Sequence, residues 1–350
     1  MTIHTFSSGD VLERYEKSLV IRFAGPRNVL STAPHNGGYT ENLKYVFNQD
    51  CKTDSGKEQI LKAPTYAEHI RVIASELGLD PLYACGIITA ADMLNACVVT
   101  ETYAKTSVTA VVTGGIDVNG GRVGDPTDQH EPEVSENPPA GTINIMLHIN
   151  ANLPAGTLAR ALVTCTEAKT AALQELLAPS VYSSGIATGS GTDSTIIISN
   201  PESAVYLTWA GKHAKLGELI GRAVKTAVKE ALFLQTGLCA ESQLDLFSRI
   251  GRYGVTKKSI LSAALDSADT NGKLDLLAKQ ENLVVYTSLF VHLLDQLQWG
   301  LIGPAAAYEA ARTLLSCMGM DSSCLPKACT KETEAEMISA YIHGILSLLE

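Results

Sequence analysis

The stretch Thr142-Ile143-Asn144-Ile145-Met146-Leu147-His148-Ile149-Asn150 alternates without a break. Ile143, Ile145, Leu147 and Ile149 fall on one side of an extended chain, and Asn144, Met146 and His148 on the other. Such alternation predicts a sheet strand with one dry face. Immediately downstream the period changes. Leu158, Leu162, Cys165, Ala168, Ala172 and Leu176 recur at helical spacing, so 156–177 reads as an amphipathic helix. Residues 194–199 read as another strand. Leu216, Ile220, Ala223, Ala227, Ala231 and Leu234 mark a second long helix. Strand and helix patterns that alternate in this way predict an α+β domain, a layered α/β sandwich with a mixed sheet.

Upstream, 18–23 and 29–31 read as strands, and 65–79 as a helix stopped by Gly78-Leu79-Asp80-Pro81. The β-branched run 107–113 ends at Gly114-Gly115. Residues 117–140 are polar and hold four prolines, which predicts a long surface excursion. Beyond Gly237 the pattern is helical throughout. Helices over 241–250, 257–265, 274–299, 304–318 and 332–349 predict a small all-α bundle. The expected organisation is therefore a domain over 1–236 and a helical segment over 237–350.

Composition narrows the function. Of 350 residues, 45% are hydrophobic and 18% charged, enough apolar material to exclude a disordered chain. The formal net charge of −10 and the lack of a basic stripe argue against nucleic-acid binding. The longest apolar run without formal charge lies between Glu281 and Asp295 and is too short for a membrane helix. The eight cysteines form no C-x-x-C pair, which suits reduced thiols. Met1-Thr2-Ile3-His4 does not open a secretory signal. A soluble, cytoplasmic protein is expected, without a structural zinc.

The densest polar run is 183–193. Gly185, Gly189 and Gly191 let a backbone approach a ligand, and N–H groups there suit an anion or a developing oxyanion. Thr188, Ser190 and Thr192 offer hydroxyls, and Asp193 a base. The run is neither G-x-G-x-x-G nor a phosphate-binding P-loop. Gly211-Lys212-His213-Ala214-Lys215-Leu216-Gly217-Glu218 opens the second long helix, where anions are favoured and a histidine suits proton transfer. Glu167 and Lys169 stand mid-helix, and Asn36-Gly37-Gly38 is a turn signal. Two patterns are declined. Ser267 to Asp275 starts like a calcium loop, but Ala278 stands at its last ligand position. Asp128-Gln129-His130 starts like a cobalt-ligating D-x-H-x-x-G, but Glu133 replaces the glycine.

Several segments together carry a resemblance: 18–23, Val29-Leu30-Ser31-Thr32-Ala33 leading to Asn36-Gly37-Gly38, Thr89-Ala90-Ala91-Asp92-Met93, Gly141-Thr142-Ile143-Asn144-Ile145, 166–173, Ala187-Thr188-Gly189-Ser190-Gly191-Thr192-Asp193, and His213-Ala214-Lys215-Leu216-Gly217. In order and spacing, residues 10–235 resemble the adenosylcobinamide amidohydrolase family. The resemblance implies an enzyme of corrinoid salvage. It would hydrolyse the amide joining aminopropanol to the corrin ring and release adenosylcobyric acid. The implied partner is a corrinoid small molecule, and no further cofactor is expected because the cobalt is in the substrate. Alternatives are a non-catalytic corrinoid-binding or delivery protein and an amidohydrolase for another secondary amide.

Amide hydrolysis needs a base, an acid and oxyanion donors. By residue type, Asp193 or Glu167 would be the base, His213 the acid and Thr192 a hydroxyl donor. Asn36, Gly37, Gly38, Asn144, Gly189, Gly191 and Lys215 would bind substrate. The 187–193 loop, the start of the second helix and the Asn36 turn are expected to converge. The helical segment could support a homo-oligomer.

Overall fold

Every residue of the strand over 142–149 is buried, on both faces. The single dry face expected from its alternation is therefore corrected: Met146 and His148 are each 1% exposed. A second sheet covers the side that the polar residues seemed to leave wet. The computed structural model describes residues 1–52, 61–127, 141–264, 268–323, 325 and 332–349. The patterns at 128–130 and 128–140, and Ser267, fall outside them.

The first unit comprises 1–182 and 186–239. Its elements in chain order are β1 (Thr2–Thr5), β2 (Val11–Arg14), β3 (Ser18–Arg22), β4 (Asn28–Ser31), β5 (Gly38–Thr40), β6 (Tyr45–Asp50), α1 (Tyr66–Glu76), β7 (Ala84–Thr89), β8 (Cys97–Tyr103), β9 (Thr106–Gly115), β10 (Gly120–Gly121), β11 (Thr142–Ile149), α2 (Ala155–Glu175), β12 (Gly189–Ser190), β13 (Ser194–Ser199) and α3 (Lys215–Thr236). One sheet has the order β1-β2-β3-β6-β7; the other runs β5-β4-β13-β11-β9-β8. Both are mixed. β6 and β7 are parallel, as are β11 and β13, and the remaining pairs within the two sheets are antiparallel.

Alternation sorts the side chains into layers. Leu19, Ile21, Val46 and Ile87 meet Val111, Met146, Ile196 and Ile198 between the sheets. Ile143, Ile145 and Leu147 point the other way, onto Leu158, Cys165, Ile220 and Val224 of α2 and α3. Val20 and Phe47 pack beneath Ile70 and Ile73 of α1 on the outer face of the first sheet. The order is thus helix, sheet, sheet, helices. Thr65 opens α1 by accepting a hydrogen bond from Glu68 N–H, and Gly237, at φ +76°, closes α3.

The second unit comprises 183–185 and 240–350. Its helices are α4 (Leu246–Ile250), α5 (Lys257–Ala263), α6 (Ala268–Ala278), α7 (Glu281–Gln298), α8 (Pro304–Cys317) and α9 (Thr333–Ser347). They enclose a core of their own that includes Ile250, Phe290, Leu294, Leu315 and Tyr341. The expected single helix over 274–299 is two helices. Gln280 is extended (φ −68°, ψ 119°) and Glu281 starts the second helix, where its charge complements the dipole. The candidate calcium loop is helix from Ala268 onward.

One end of the sandwich is locked by a buried ionic cluster. Arg27 donates from Nε to Asp10 Oδ2 (2.8 Å) and from Nη2 to Oδ1 (2.8 Å). His148 Nε2 lies 2.8 Å from Asp10 Oδ2, and Phe6 stacks on its ring. All three charged or titratable members are at most 1% exposed. Removing one partner leaves a buried charge uncompensated. Arg27→Met is therefore expected to cost about 3–5 kcal/mol of unfolding free energy, read by urea denaturation. The cluster also sets an acid dependence. Burial raises the Asp10 pKa, but hydrogen bonds from His148 and Arg27 outweigh it and hold the carboxyl at about 2. Burial lowers that of His148. In acid the unfolded chain binds the extra protons. Stability is expected to fall as pH drops below ~6.5, where unfolded His148 charges, and again from ~4 towards ~2, where unfolded Asp10 is neutralised.

Candidate active site

At the other end of the sandwich, polar side chains cross from sheet to sheet. Asn144 on β11 donates from Nδ2 to Asn48 Oδ1 (2.8 Å) on β6 and to the carbonyl of Ile88 (2.8 Å) on β7. Its Oδ1 accepts Ser194 N–H (3.2 Å) from β13. Asn48 Nδ2 reaches Thr113 Oγ1 (2.8 Å) on β9. These elements all end within a few residues of the crossing: β6 at Asp50, β7 at Thr89, β9 at Gly115. β11 starts at Thr142 and β13 at Ser194. Of the two parallel pairs, β6–β7 has its carboxyl end here, the end at which parallel strands commonly present chemistry, while β11–β13 present their amino ends.

The 187–193 loop belongs to this end. Gly189 and Ser190 pair with Gly120 and Gly121. Asp193 Oδ1 accepts Ile143 N–H (2.7 Å) and Ser190 Oγ–H (2.8 Å); Oδ2 accepts Ser190 N–H (3.0 Å) and pairs with Lys169. A carboxylate with this many donors is well satisfied, and its work is to fix the loop against β11. A Cβ at Gly189 would overlap that carboxylate and come 2.6 Å from Lys169 Nζ. Thr192 Oγ1 donates to Gly141 O (2.8 Å) on the rim, and Gly191 is exposed.

The structure thus brings Thr192, Asp193, Gly189, Gly191 and Asn144 together, though Asn144 is 1% exposed with its amide engaged by the chain itself. The other expected residues make no hydrogen bond or ion pair with the 187–193 loop among the described residues. Glu167 is on the solvent face of α2, 3.6 Å from Arg160 and 3.7 Å from Lys212. Lys169, two residues on, is the one that reaches the loop. Lys215 Nζ sits 4.8 Å over the Tyr103 ring, and Tyr103 pairs with Thr106. Thr106 is seven residues along β9 from Thr113, about 23 Å away. Lys215 and the exposed His213 are therefore at the far end of the sheet. Asn36, at φ 53°, spends its amide on the carbonyls of Pro81 (3.1 Å) and Ala84 (2.9 Å), at the start of β7. Gly37 and Gly38 share that turn, where a Cβ on Gly37 would strike Ala33 O. The fold makes the expected convergence only in part: the Asn36 turn follows β4, whose end is bonded to the start of β13 (Thr195 N–H to Thr32 Oγ1, 3.0 Å), whereas His213 and Lys215 stand at the far end.

No sequence pattern singles out Asp50 or gives Asp92 a role. Asp50 is 9% exposed and accepts Lys52 N–H (2.9 Å). Burial raises its pKa, and the charge of Asp92 adds to the rise against Lys52 and Lys17. Asp92 caps the short turn Met93–Asn95 by accepting Leu94 N–H (2.8 Å). The neighbouring Cys51 thiol is pushed up to about 12, first by burial and then by Asp50, and donates to Thr89 O (3.2 Å). It is no thiolate nucleophile. A cavity of about 670 Å³, lined by Asp50, Gln49, Lys17, Lys52 and Lys62, opens beside these strand ends. That size suits a small-molecule site. His69 in its wall uses both ring nitrogens, with Nδ1 accepting Lys62 N–H (3.0 Å) and Nε2 donating to Gln49 Oε1 (2.9 Å). Among the described residues, no three His, Cys, Asp or Glu side chains gather as a metal site, and no helix is long and apolar enough to cross a membrane.

Asp50 is thus a buried carboxyl with a raised pKa beside a cavity, and the thiol adjoining it, Cys51, stays protonated. Comparison with known proteins gives the class: the profile of an amidohydrolase family matches residues 3–240. That family is adenosylcobinamide amidohydrolase (CbiZ), and the chain belongs to it. An uncharacterised protein of Methanocaldococcus jannaschii, MJ1613, is 34% identical over 244 residues, which are 66% of this chain and 91% of the relative. Among solved structures, the PH0078 protein from Pyrococcus horikoshii OT3 aligns over 61% of this chain and 76% of its own, at 10% identity and a TM-score of 0.29, too slight a likeness to carry an argument.

Gly189→Ala should force Asp193 off Lys169. We expect a loss of about 1–3 kcal/mol, seen as a drop of several degrees in Tm. Gly191→Ala meets nothing within 4 Å and should leave Tm unchanged.

Proposed function

We propose that the protein hydrolyses the amide between aminopropanol and the corrin ring of adenosylcobinamide, giving adenosylcobyric acid for corrinoid salvage. The observation that supports this reading is the family match over 3–240. Within it, 141–145 holds 187–193 through Ile143 N–H and Asp193, and 89–93 begins at Thr89, which pairs with the buried Asp50.

In the proposed reaction Asp50, as carboxylate, takes a proton from a water molecule while the water oxygen bonds to the amide carbon. The tetrahedral oxyanion collapses, the C–N bond breaks, and the proton held by Asp50 passes to the departing nitrogen. The products are a carboxylic acid and free aminopropanol, so atoms and charge balance. A base with pKa nearer neutrality serves both halves of this cycle better than an ordinary carboxylate. The exposed Gly191 and Thr192 and the cavity beside Asp50 would receive the ring edge and its amide arm. Selecting one secondary amide among the primary amides around a corrin is a problem of positioning, which a loop fixed by Asp193 and Lys169 suits.

The test is incubation of the purified protein with adenosylcobinamide and assay of released aminopropanol. Binding without release would replace the enzyme with a corrinoid carrier, and neither binding nor release would point to another amide. Asp50→Asn is expected to lower kcat by about 10²–10⁴-fold in folded protein. The acid limb of the kcat/KM profile should lie above ~4, because the base works only once it has lost its proton. Asp92→Asn should move that limb to lower pH.

A further inference from the structure

The last turn of α3 carries a side chain that touches neither the cavity nor the loop at 187–193. Gln235 Oε1 accepts two hydrogen bonds, from Asp92 N–H (3.0 Å) and from Asn95 Nδ2–H (2.9 Å). Those are the two lone pairs of one amide oxygen, and both go to the turn that follows β7. The space for this side chain comes from Gly115 at the end of β9, where a Cβ would stand 3.2 Å from Gln235 Cγ. α3 then stops, with Gly237 in the left-handed conformation. A helix of the outer layer of one sheet thereby holds a turn that extends from the other.

We propose that Gln235 is a positioning residue for amide hydrolysis, holding the Asp92 turn against the carboxyl end of β6 where Asp50 stands. The proposal rests on the reading of Asp50 as the base. Three contacts define the turn: Thr89 Oγ1 accepts Ala91 N–H (3.0 Å), Asp92 accepts Leu94 N–H (2.8 Å), and Gln235 accepts from both Asp92 and Asn95. The first two are made within the turn. Gln235 alone of these partners comes from another element and ties the turn to the helix layer.

The turn leaves β7 directly after Thr89, and Thr89 pairs with Asp50 across the β6–β7 ladder, with Cys51 N–H donating to the Thr89 carbonyl (3.0 Å). Lys17, from the β2–β3 turn, and Lys52, beyond β6, favour its carboxylate; Asp92 opposes it. Cys51 adjoins it with a protonated thiol. Across the cavity stand Lys62, which is paired with Glu76 (2.6 Å), and His69, which is hydrogen-bonded at both nitrogens. The like charge of Asp92 is the one whose position depends on Gln235. Let the turn relax away, and Asp50 loses its acidic neighbour and becomes a weaker base.

The experiment compares Gln235→Leu, which removes the acceptor, with Gln235→Glu, which keeps it, in the full-length chain with adenosylcobinamide as substrate. For Gln235→Leu we expect kcat to fall about tenfold with KM within about twofold. We also expect its acid limb in kcat/KM to shift to lower pH. Gln235→Glu should keep kcat within about threefold, with the limb unshifted or higher. A residue that only helped folding would lower the yield of active protein and leave the limb of the folded fraction in place. Wild-type kcat and an unmoved limb in Gln235→Leu would overturn the proposal. If that variant does not fold, Asn95→Ala removes one of the two donors, and the same comparison applies with a smaller shift; an unmoved limb there overturns the proposal equally. Asp50→Asn separates the two levels. Full activity in Asp50→Asn sinks the underlying reading. An inactive Asp50→Asn beside an unaltered Gln235→Leu sinks this inference alone.

Discussion

The amide of Asn144 is the tie on which the layered domain depends. It is buried between two sheets, and its two N–H groups reach a side chain and a backbone carbonyl of the opposite sheet while its oxygen holds the first residue of β13. An apolar residue at this place would fill the space but leave a carbonyl and an Asn48 oxygen unpaired in a dry interior, each at a cost of about 1–3 kcal/mol. Because the bonds are directional, they also fix where along their length the two sheets cross. Everything at this end of the sandwich is placed by that crossing: Asp50 lies two residues beyond Asn48, Thr142 two before Asn144, and Thr192 two before Ser194.

The same strand shows what the sequence could and could not reveal. Its alternation was enough to identify it, and the helices beside it were recovered with their ends nearly right. The meaning of its second face was not legible. Asn144 and His148 look like solvent-facing residues, but each is the polar half of a contact with a segment more than fifty residues distant. β1, β2, β6 and β7 are short and mix apolar with polar residues, so no local period announces the sheet that they build.

Legibility of the site followed the same division. Gly189, Asp193 and Thr192 are neighbours in sequence and stayed neighbours in space. His213 went astray because the direction of a helix against a sheet is set by long-range pairing. α3 runs alongside the β8–β9 hairpin, from Tyr103 on β8 at one end to Gly115 on β9 at the other, and carries its amino terminus away from the loop. Asn48-Gln49-Asp50 reads as a polar strand end, and only burial gives Asp50 its chemistry. The helical unit after 240 has its own apolar centre and lies outside the region the family profile matches.

The ionic cluster of Asp10, Arg27 and His148 bears on how the chain reaches this state. Arg27 also contacts Asn200, 173 residues further along, and His148 closes on Asp10 across 138. On the ribosome, both members of the Asp10–Arg27 pair emerge early, into water, where an isolated ion pair holds little. Their enclosure waits until β11 and β13 have been synthesised, so the amino-terminal hairpin cannot settle ahead of the rest. A domain closed by its first residues and its last strand folds late in synthesis and as a unit, and its barrier is dominated by the closure of long loops.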